Sequence, residues 1–326
     1  MRTRNVPRVF ASVAWLGLVA LGGCDDGSSG PGLRSWRVSP GTNSTDAPWG
    51  VAIDATGRVL VSEMFGHAVD VYTATGTPVT SWGSHGTGNG EFDGPKYVDT
   101  DGSGNVYVAD PGNHRVQKFS STGAYITQWG SYGTGDGQFD APTGIEVDVA
   151  RGVVYVVDSG HDRIETFDLD GHYLAQWGSR GTGDGQFRFL DLEGGGNQGP
   201  EGDVALDAAG NLLVVDNWNH RVQRFAPSGT YLGQWGSPGS GPGLFLYPCG
   251  IAVAPDGTVV VTDNAQPHNE AGNVSRLMRF DASGAFLEEM RFPPIACGPV
   301  QSLGVDIDST GLVYVIQGDS VVVYDL

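Results

Sequence analysis

An eleven-residue, glycine-rich segment occurs four times in this 326-residue chain and constrains its fold more than any other feature. A single copy would look like a phosphate-binding loop, but such a loop is followed by a helix. Here each copy is followed by residues typical of a strand. We therefore interpret it as a connector between repeated units. The copies are WGSHGTGNGEF from Trp82, WGSYGTGDGQF from Trp129, WGSRGTGDGQF from Trp177 and WGSPGSGPGLF from Trp235.

Six units follow from a triplet that opens each repeat. The second unit contains four short runs of strand-forming residues, separated by the turn sequences DGSG, DPGN and SSTG. Four antiparallel strands per unit of this length are typical of a propeller blade. The high glycine content, 52 residues, agrees with many short strands joined by turns. The triplets are Pro48-Trp49-Gly50, Pro95-Lys96-Tyr97, Pro142-Thr143-Gly144, Pro200-Glu201-Gly202 and Pro248-Cys249-Gly250, with Gly304 in the sixth unit.

Closure of the ring is also predicted. The sixth unit ends at Leu326 after its third strand, so it lacks an outer strand. Residues 33–36, LRSW, resemble the outer strand ITQW that ends at Trp129. We expect this N-terminal strand to complete the last blade, which would remove the exposed edges of an open ring.

The sequences Asn113-His114-Arg115-Val116 and Asn219-His220-Arg221-Val222 resemble the NHL repeat, which is named after an Asn-His-Leu triplet. The same frame recurs in His161-Asp162-Arg163-Ile164, and the resemblance covers residues 33–326. It implies an all-β fold, a six-bladed β-propeller of NHL-type blades. It does not imply one function, because the family includes enzymes, protein-binding sensors and RNA-binding repressors.

The N-terminal segment differs from the repeats. Three arginines precede an apolar stretch that is short for a membrane span, so residues 1–23 are predicted to be a signal peptide. The segment ends in Leu21-Gly22-Gly23-Cys24, which resembles the lipobox of bacterial lipoproteins and implies lipidation of Cys24. An ordinary signal peptide followed by an unmodified cysteine is the alternative. Residues 24–32 are predicted to be a flexible tether before the domain at 33–326.

Charge and cysteine content limit the partners. The formal net charge is −19, and removal of the three arginines in residues 1–23 makes it −22. A chain this acidic lacks the basic surface that nucleic acid requires. We expect a monomer in the cell envelope that reaches the membrane through its lipid anchor only. Cys249 and Cys297 would lie in an oxidising compartment, where they can pair as a disulfide; the sequence leaves open whether they do.

Two insertions predict a binding face. In such a blade, the connectors between blades share one face with the loops between the second and third strands. Residues 188–199 lengthen one connector, and residues 264–273 lengthen one such loop. Functional loops concentrate on rigid scaffolds, although neutral drift of loop length is the alternative. The candidate ligand-binding residues in these insertions are Asp191, Glu193, His268 and Glu270.

The second residue of each opening triplet should lie at the mouth of the central channel. Trp49, Lys96 and Glu201 would offer an aromatic ring and two opposite charges to a small ligand or peptide end, or simply fill the channel mouth. Across its repeats the chain also resembles the peptidyl-α-hydroxyglycine lyase, a six-bladed propeller whose zinc-binding histidines occupy such positions. This chain has no histidine at any of them. We therefore predict no catalytic residue, metal site or cofactor, and do not adopt a metal site made of Glu201, Asp191, Glu193 and His268.

Polar residues that recur in the repeats are predicted to be structural. Asp110, Asp158, Asp216 and Asp263 each end the second strand of a blade, with Glu63 at this place in the first blade. We expect them to bind backbone groups or the side chains of Arg115 and Arg221. His114 and His220 receive the same interpretation, because catalytic residues do not recur in every unit.

Recognition is the function that these features favour. We expect an envelope-anchored scaffold that binds a protein, peptide or glycan through the face with the insertions. The alternative is a metal-dependent lyase or hydrolase of the propeller type, similar to the peptidyl-α-hydroxyglycine lyase or to lactonases. A structural propeller within a larger envelope assembly is the third hypothesis.

Overall fold

The computed structural model describes residues 34–38, 47–190, 201–264, 275–292 and 302–326. The strands in these ranges form six separate four-stranded antiparallel sheets, one for each predicted unit. The strands of each blade are given from the inner strand outward. Blade 1 contains β2 (Pro48–Ile53), β3 (Val59–Glu63), β4 (Ala68–Tyr72) and β5 (Pro78–Trp82), and blade 2 contains β6 (Val98–Thr100), β7 (Val106–Asp110), β8 (Arg115–Phe119) and β9 (Tyr125–Trp129); blade 3 contains β10 (Pro142–Asp148), β11 (Val153–Asp158), β12 (Arg163–Asp168) and β13 (Tyr173–Trp177), and blade 4 contains β14 (Val204–Leu206), β15 (Leu212–Asp216), β16 (Arg221–Phe225) and β17 (Tyr231–Trp235). Blade 5 contains β18 (Pro248–Val253), β19 (Val259–Asp263), β20 (Arg276–Phe280) and β21 (Phe286–Arg291), and blade 6 contains β22 (Ser302–Ile307), β23 (Leu312–Gln317), β24 (Ser320–Asp325) and β1 (Arg34–Arg37). Short 3₁₀ helices at Pro111–Asn113, Ser159–His161 and Asn217–Asn219 join the second and third strands of blades 2, 3 and 4.

The innermost strands surround a central axis. Each of β2, β6, β10, β14, β18 and β22 contacts the next, and β22 contacts β2, so the ring is closed. The backbones approach closely here. A Cβ added to Gly50 would lie 2.7 Å from the carbonyl oxygen of Lys96, and one added to Gly144 would lie 2.8 Å from that of Gly202. Glycine is therefore required at these two places. The predicted all-β, six-bladed propeller is confirmed.

The N-terminal strand completes the last blade as predicted. Strand β1 pairs antiparallel with β24, with Arg34 opposite Val323 and Arg37 opposite Ser320. The sixth sheet thus gains its fourth strand from the opposite end of the chain.

Burial differs between the strands of a blade. All five residues of the second strand β7 are buried, whereas most residues of the outer strand β9 alternate between exposed and partly buried. A middle strand is covered on both faces by the neighbouring blades, and this favours its continuous run of apolar residues. The core therefore lies between the blades, in six apolar clusters.

Each outer-strand tryptophan packs against a glycine in the next blade. In the second blade, Gly123 has φ +83° and a Cβ on it would lie 2.6 Å from the Trp82 ring. Glycine satisfies both the left-handed backbone and the contact. Trp36 of β1 makes the same contact with Gly76 of the first blade, so closure reproduces the regular blade interface. The other pairs are Trp129 with Gly171, Trp177 with Gly229 and Trp235 with Gly284.

A buried arginine holds each glycine-rich connector. The Nε of Arg115 donates to the carboxylate of Asp110 at 2.8 Å, and its terminal nitrogens donate to the carbonyl oxygens of Thr87, Gly88 and Glu91 in the preceding connector. Asp110 also accepts a bond from the backbone N–H of Asp93. The connector is thus ordered through its backbone, and the structure agrees with the structural role predicted for Asp110.

The same arrangement recurs in the next blades. Arg221 binds Asp216 and the carbonyl oxygens of Thr182, Gly183 and Gln186. Burial raises the pKa of the Asp216 carboxyl, while hydrogen bonds and the charge of Arg221 act against the rise. The remaining pairs are Asp158 with Arg163 and Asp263 with Arg276.

Substitution of Arg221 by Leu should destabilise the protein. It removes the guanidinium that compensates the buried Asp216 carboxylate and donates to three connector carbonyl oxygens. We expect a loss of about 3 to 5 kcal/mol in the free energy of unfolding. Denaturant unfolding measures it. Arg37→Leu removes a partner from an exposed ion pair and should cost less than about 1 kcal/mol. Asp216→Asn combined with Arg221→Leu should recover part of the loss; equal costs for Arg37→Leu and Arg221→Leu would contradict this account.

Candidate functional site

The face that carries the predicted insertions consists of turns and connectors in mutual contact. We call it the connector face: the turns at 64–67, 111–114, 159–162 and 217–220, with the connectors at 83–94, 130–141, 178–190 and 236–247. Backbone bonds join the two sets. Gly112 N–H donates to the carbonyl oxygen of Asp93, and Gly160 N–H donates to that of Asp140. The predicted sharing of one face is therefore observed.

A residue in the left-handed backbone conformation ends each of four turns. His67, His114, Asp162 and His220 have φ between 51° and 55°. The Nδ1 of His114 accepts a bond from Ala141 N–H at 3.2 Å, and the ring of His220 bonds to the Leu246 carbonyl oxygen at 2.6 Å. These rings fix the following connector, which agrees with the structural role predicted for His114 and His220.

The three residues predicted at the channel mouth lie together. Lys96 Nζ and Glu201 Oε2 form an ion pair, and Lys96 Nζ lies 4.7 Å from the centre of the Trp49 ring. All three side chains are buried, with Glu201 only 1% exposed. The two charges compensate each other beneath an aromatic cover. The three side chains contact one another, and their roles at the channel mouth and as ligand contacts stay predictions.

The strand register places Glu201 one residue earlier than the triplet alignment implied. Val98 pairs with Val108 and Val204 pairs with Val214, so these valines are equivalent. Lys96 precedes its valine by two residues and Glu201 precedes its valine by three. The equivalent of Lys96 is therefore Gly202, on which a Cβ would lie 2.4 Å from the Phe189 ring. Alignment on proline missed this because the connector before blade 4 is one residue longer than the triplets suggested.

Of the two cysteines predicted to pair, only Cys249 lies within the described residues. It is buried, and burial raises the pKa of its thiol well above the usual value. Its Sγ lies 3.0 Å from the Tyr247 carbonyl oxygen. The disulfide stays a prediction, because Cys297 lies outside the described residues. Cys24, Asp191, Glu193, His268 and Glu270 also lie outside them.

Four carboxyl groups line the channel behind the ion pair. They are Asp99, Glu146, Asp203 and Asp306, around a cavity of about 100 Å³. Each spans the gap to a neighbouring blade. Asp99 accepts from Val147 N–H, Glu146 from Leu206 N–H, Asp203 from Ile251 N–H, and Asp306 from Ile53 N–H.

Burial raises the pKa values of all four carboxyl groups. Burial raises the pKa of Asp99 to about 7, and the charge of Asp306 adds to the rise. Burial likewise raises the pKa of Asp306 to about 7 and those of Glu146 and Asp203 well above their usual values. Asp99 and Asp306 are therefore incompletely ionised near neutral pH. The arrangement favours protons or cations and disfavours anionic ligands.

The most exposed aromatic side chains lie on the connector face. Among the large apolar residues of the described ranges, Tyr132 and Phe65 have the highest exposed fractions, 69% and 61%. Trp218 and Tyr247 form a further aromatic pair on this face, with ring centres 5.5 Å apart. These residues were not predicted as site residues from the sequence. Their positions in the connectors and turns nevertheless place them on the connector face.

A group of histidine and aspartate side chains was also missed. His67, His85 and Asp93 meet where the first connector passes the turn of blade 1, with the His67 and His85 ring centres 4.5 Å apart. His85 lies in the first connector, and His67 ends the turn of blade 1. The repeat frame alone does not show this proximity, because it arises from contact between two non-adjacent segments.

Comparisons with known proteins agree with the fold. A family model described as a 6-bladed beta-propeller matches residues 98–177, and one described as the NHL repeat matches residues 202–225. The protein brain tumor of Drosophila melanogaster is 26% identical over 115 residues. That match covers 35% of this chain and 10% of the fly protein, so this chain spans about a tenth of that relative.

Solved structures of similar shape include two enzymes. A catalytically inactive variant of virginiamycin B lyase from Staphylococcus aureus with quinupristin has a TM-score of 0.60 and 15% identity, covering 90% of this chain and 99% of the lyase. A gluconolactonase from Xanthomonas campestris has a TM-score of 0.59 and 15% identity, covering 86% of each chain. Likeness at this identity shows the fold alone. Within the described part of the chain, no helix has the length and apolar character needed to cross a membrane.

The channel acids should make stability depend on pH. Asp99 and Asp306 have raised pKa values of about 7 in the folded state, so their contribution is complete below about pH 4 and is lost as the pH rises through about 7. We expect each to cost about 2 kcal/mol between about pH 5 and about pH 7. Melting curves over this range measure it. The Asp99→Asn/Asp306→Asn variant should lose less stability than wild type over the range, and parallel curves would contradict the assignment.

Proposed function

We propose that this chain, a six-bladed β-propeller built on NHL repeats, is a binding module that recognises a protein, peptide or glycan through its connector face. The observation that carries the proposal is the exposure of Tyr132 and Phe65, both on this face. Aromatic side chains are enriched at interfaces, because they bury a large area at a small entropic cost. The insertions at 188–199 and 264–273, most of whose residues lie outside the described ranges, are predicted from the sequence to belong to the same face.

We infer that a partner binds on the outer surface of the connector face rather than inside the central channel. At its mouth the charges of Lys96 and Glu201 are paired and covered, so they offer little to a partner outside.

A lyase or hydrolase is the alternative. It is supported by the shape shared with virginiamycin B lyase and gluconolactonase, but at 15% identity neither activity transfers to this chain. Binding is preferred because the exposed aromatic residues are a feature of this chain itself.

Paired variants test the connector face. Phe65→Ser/Tyr132→Ser should weaken binding to a partner found by envelope-extract capture or on a glycan array by at least about tenfold, because such anchors supply much of the binding energy. Binding constants of purified partner and protein give the measurement. Leu174→Ser/Leu232→Ser removes exposed apolar residues from outer strands and should leave binding unchanged. Equal affinities of the two double variants, or no saturable binding, would refute the proposal.

We also propose that the module is attached to the bacterial cell envelope by a lipid on Cys24. The lipobox-like sequence and the predicted tether support this. The full-length chain should sediment with membranes, and Cys24→Ser should move it to the soluble fraction. Labelling with a fatty-acid analogue should be lost in the same variant. Unchanged labelling and sedimentation would overturn the anchor without affecting the connector face.

A further inference from the structure

Three potential metal ligands meet on the connector face between blades 1 and 2. His67 comes from the turn of blade 1, and His85 and Asp93 come from the first connector. Their ligand atoms lie within 4.8 Å of one another. His85 Nε2 is 3.6 Å from Asp93 Oδ1.

We propose that His67, His85 and Asp93 form a binding site for a divalent transition metal, with Zn²⁺ as the best match. Two imidazoles and one carboxylate are ligands that zinc commonly takes, and three protein ligands leave a position for water or for a group from a partner. The site lies on the connector face, and none of its three residues belongs to the opening triplets.

The geometry requires only small adjustments. Two ligands about 2.1 Å from a tetrahedral ion lie about 3.4 Å apart, which is close to the His85–Asp93 distance. The His85 side chain is 68% exposed and can rotate. His67 is held by its left-handed backbone. Its Nδ1 accepts a bond from Gly94 N–H at 3.1 Å, so coordination through that nitrogen exchanges one backbone bond for a metal bond.

The local electrostatics favour the coordinating form of the ring. Burial and then the neighbouring His85 lower the pKa of His67, while Asp93 acts in the opposite direction. A neutral imidazole is the form that binds metal.

The next repeats provide natural comparisons. At the second connector, His114 and Asp140 keep the same arrangement, with 3.6 Å between His114 Nδ1 and Asp140 Oδ1. Tyr132 replaces the second histidine, with its ring centre 4.9 Å from that of His114. At the third connector, Arg180 donates to Asp162 at 3.1 Å, so a cation of the protein itself occupies the corresponding place. Only the first of these three connectors combines two imidazoles with a carboxylate.

Zinc titration of the chelator-treated, full-length chain tests the site. Calorimetry should detect one bound Zn²⁺, and Co²⁺ should give a visible absorption band. His85→Ala should weaken zinc binding at least about tenfold and abolish the band. His67→Asn should do the same while keeping the left-handed backbone, which asparagine tolerates. Tyr132→His should add a second ion at the second connector.

Two controls separate this site from other zinc binding. His172→Ala removes an exposed histidine that is paired with Asp168 outside the connector face, and it should leave the affinity unchanged. His268→Ala tests the insertion at 264–273. The proposal is overturned if wild type binds no zinc, or if zinc binding survives His85→Ala and His67→Asn. It is also overturned if His268→Ala alone abolishes binding. None of these results bears on partner binding through Phe65 and Tyr132.

Discussion

The buried arginine beside an aspartate is the interaction on which the rest of the structure depends. A connector rich in glycine has few side chains to pack, so its path must be fixed through its backbone groups. Arg115 supplies donors to three of its carbonyl oxygens, and Asp110 compensates the charge that this requires. Because the connector is fixed, the next inner strand starts at a defined place and the turns meet the connectors on one face. The aromatic residues and the histidine pair of that face therefore project from an ordered backbone.

Much of the fold could be predicted from the sequence because the information is local and repeated. The four-strand unit and the outer strand LRSW identified the blades and the closure. His114 and Asp110 could be assigned structural roles because they recur. The register of Glu201 could not be predicted, since proline and glycine align in the sequence without sharing a position in the sheet. Contact of Lys96 with Glu201, or of His67 with His85, depends on the ring and connector geometry, which no single repeat contains.

The centre of the ring and the connector face differ in chemistry. At the centre, four carboxyl groups each accept a bond from a neighbouring blade, and Lys96 and Glu201 form a buried ion pair. These groups join the inner strands to one another. On the connector face, Phe65, Tyr132 and His85 occupy places whose residues change from blade to blade, whereas His67 recurs as His114 and His220 and also holds its connector. Positions that vary within a constant scaffold can determine binding specificity.

The pairing of β1 with β24 also determines when folding can finish. Residues 34 and 323 are 289 positions apart, so the first strand to be made has no partner until the last one exists. Contacts of such large sequence separation form slowly, because the chain must first close a long loop. An unfolded chain would therefore keep an open ring, with an unpaired edge, until β24 can pair with β1. During that interval it would depend on protection against edge-to-edge aggregation.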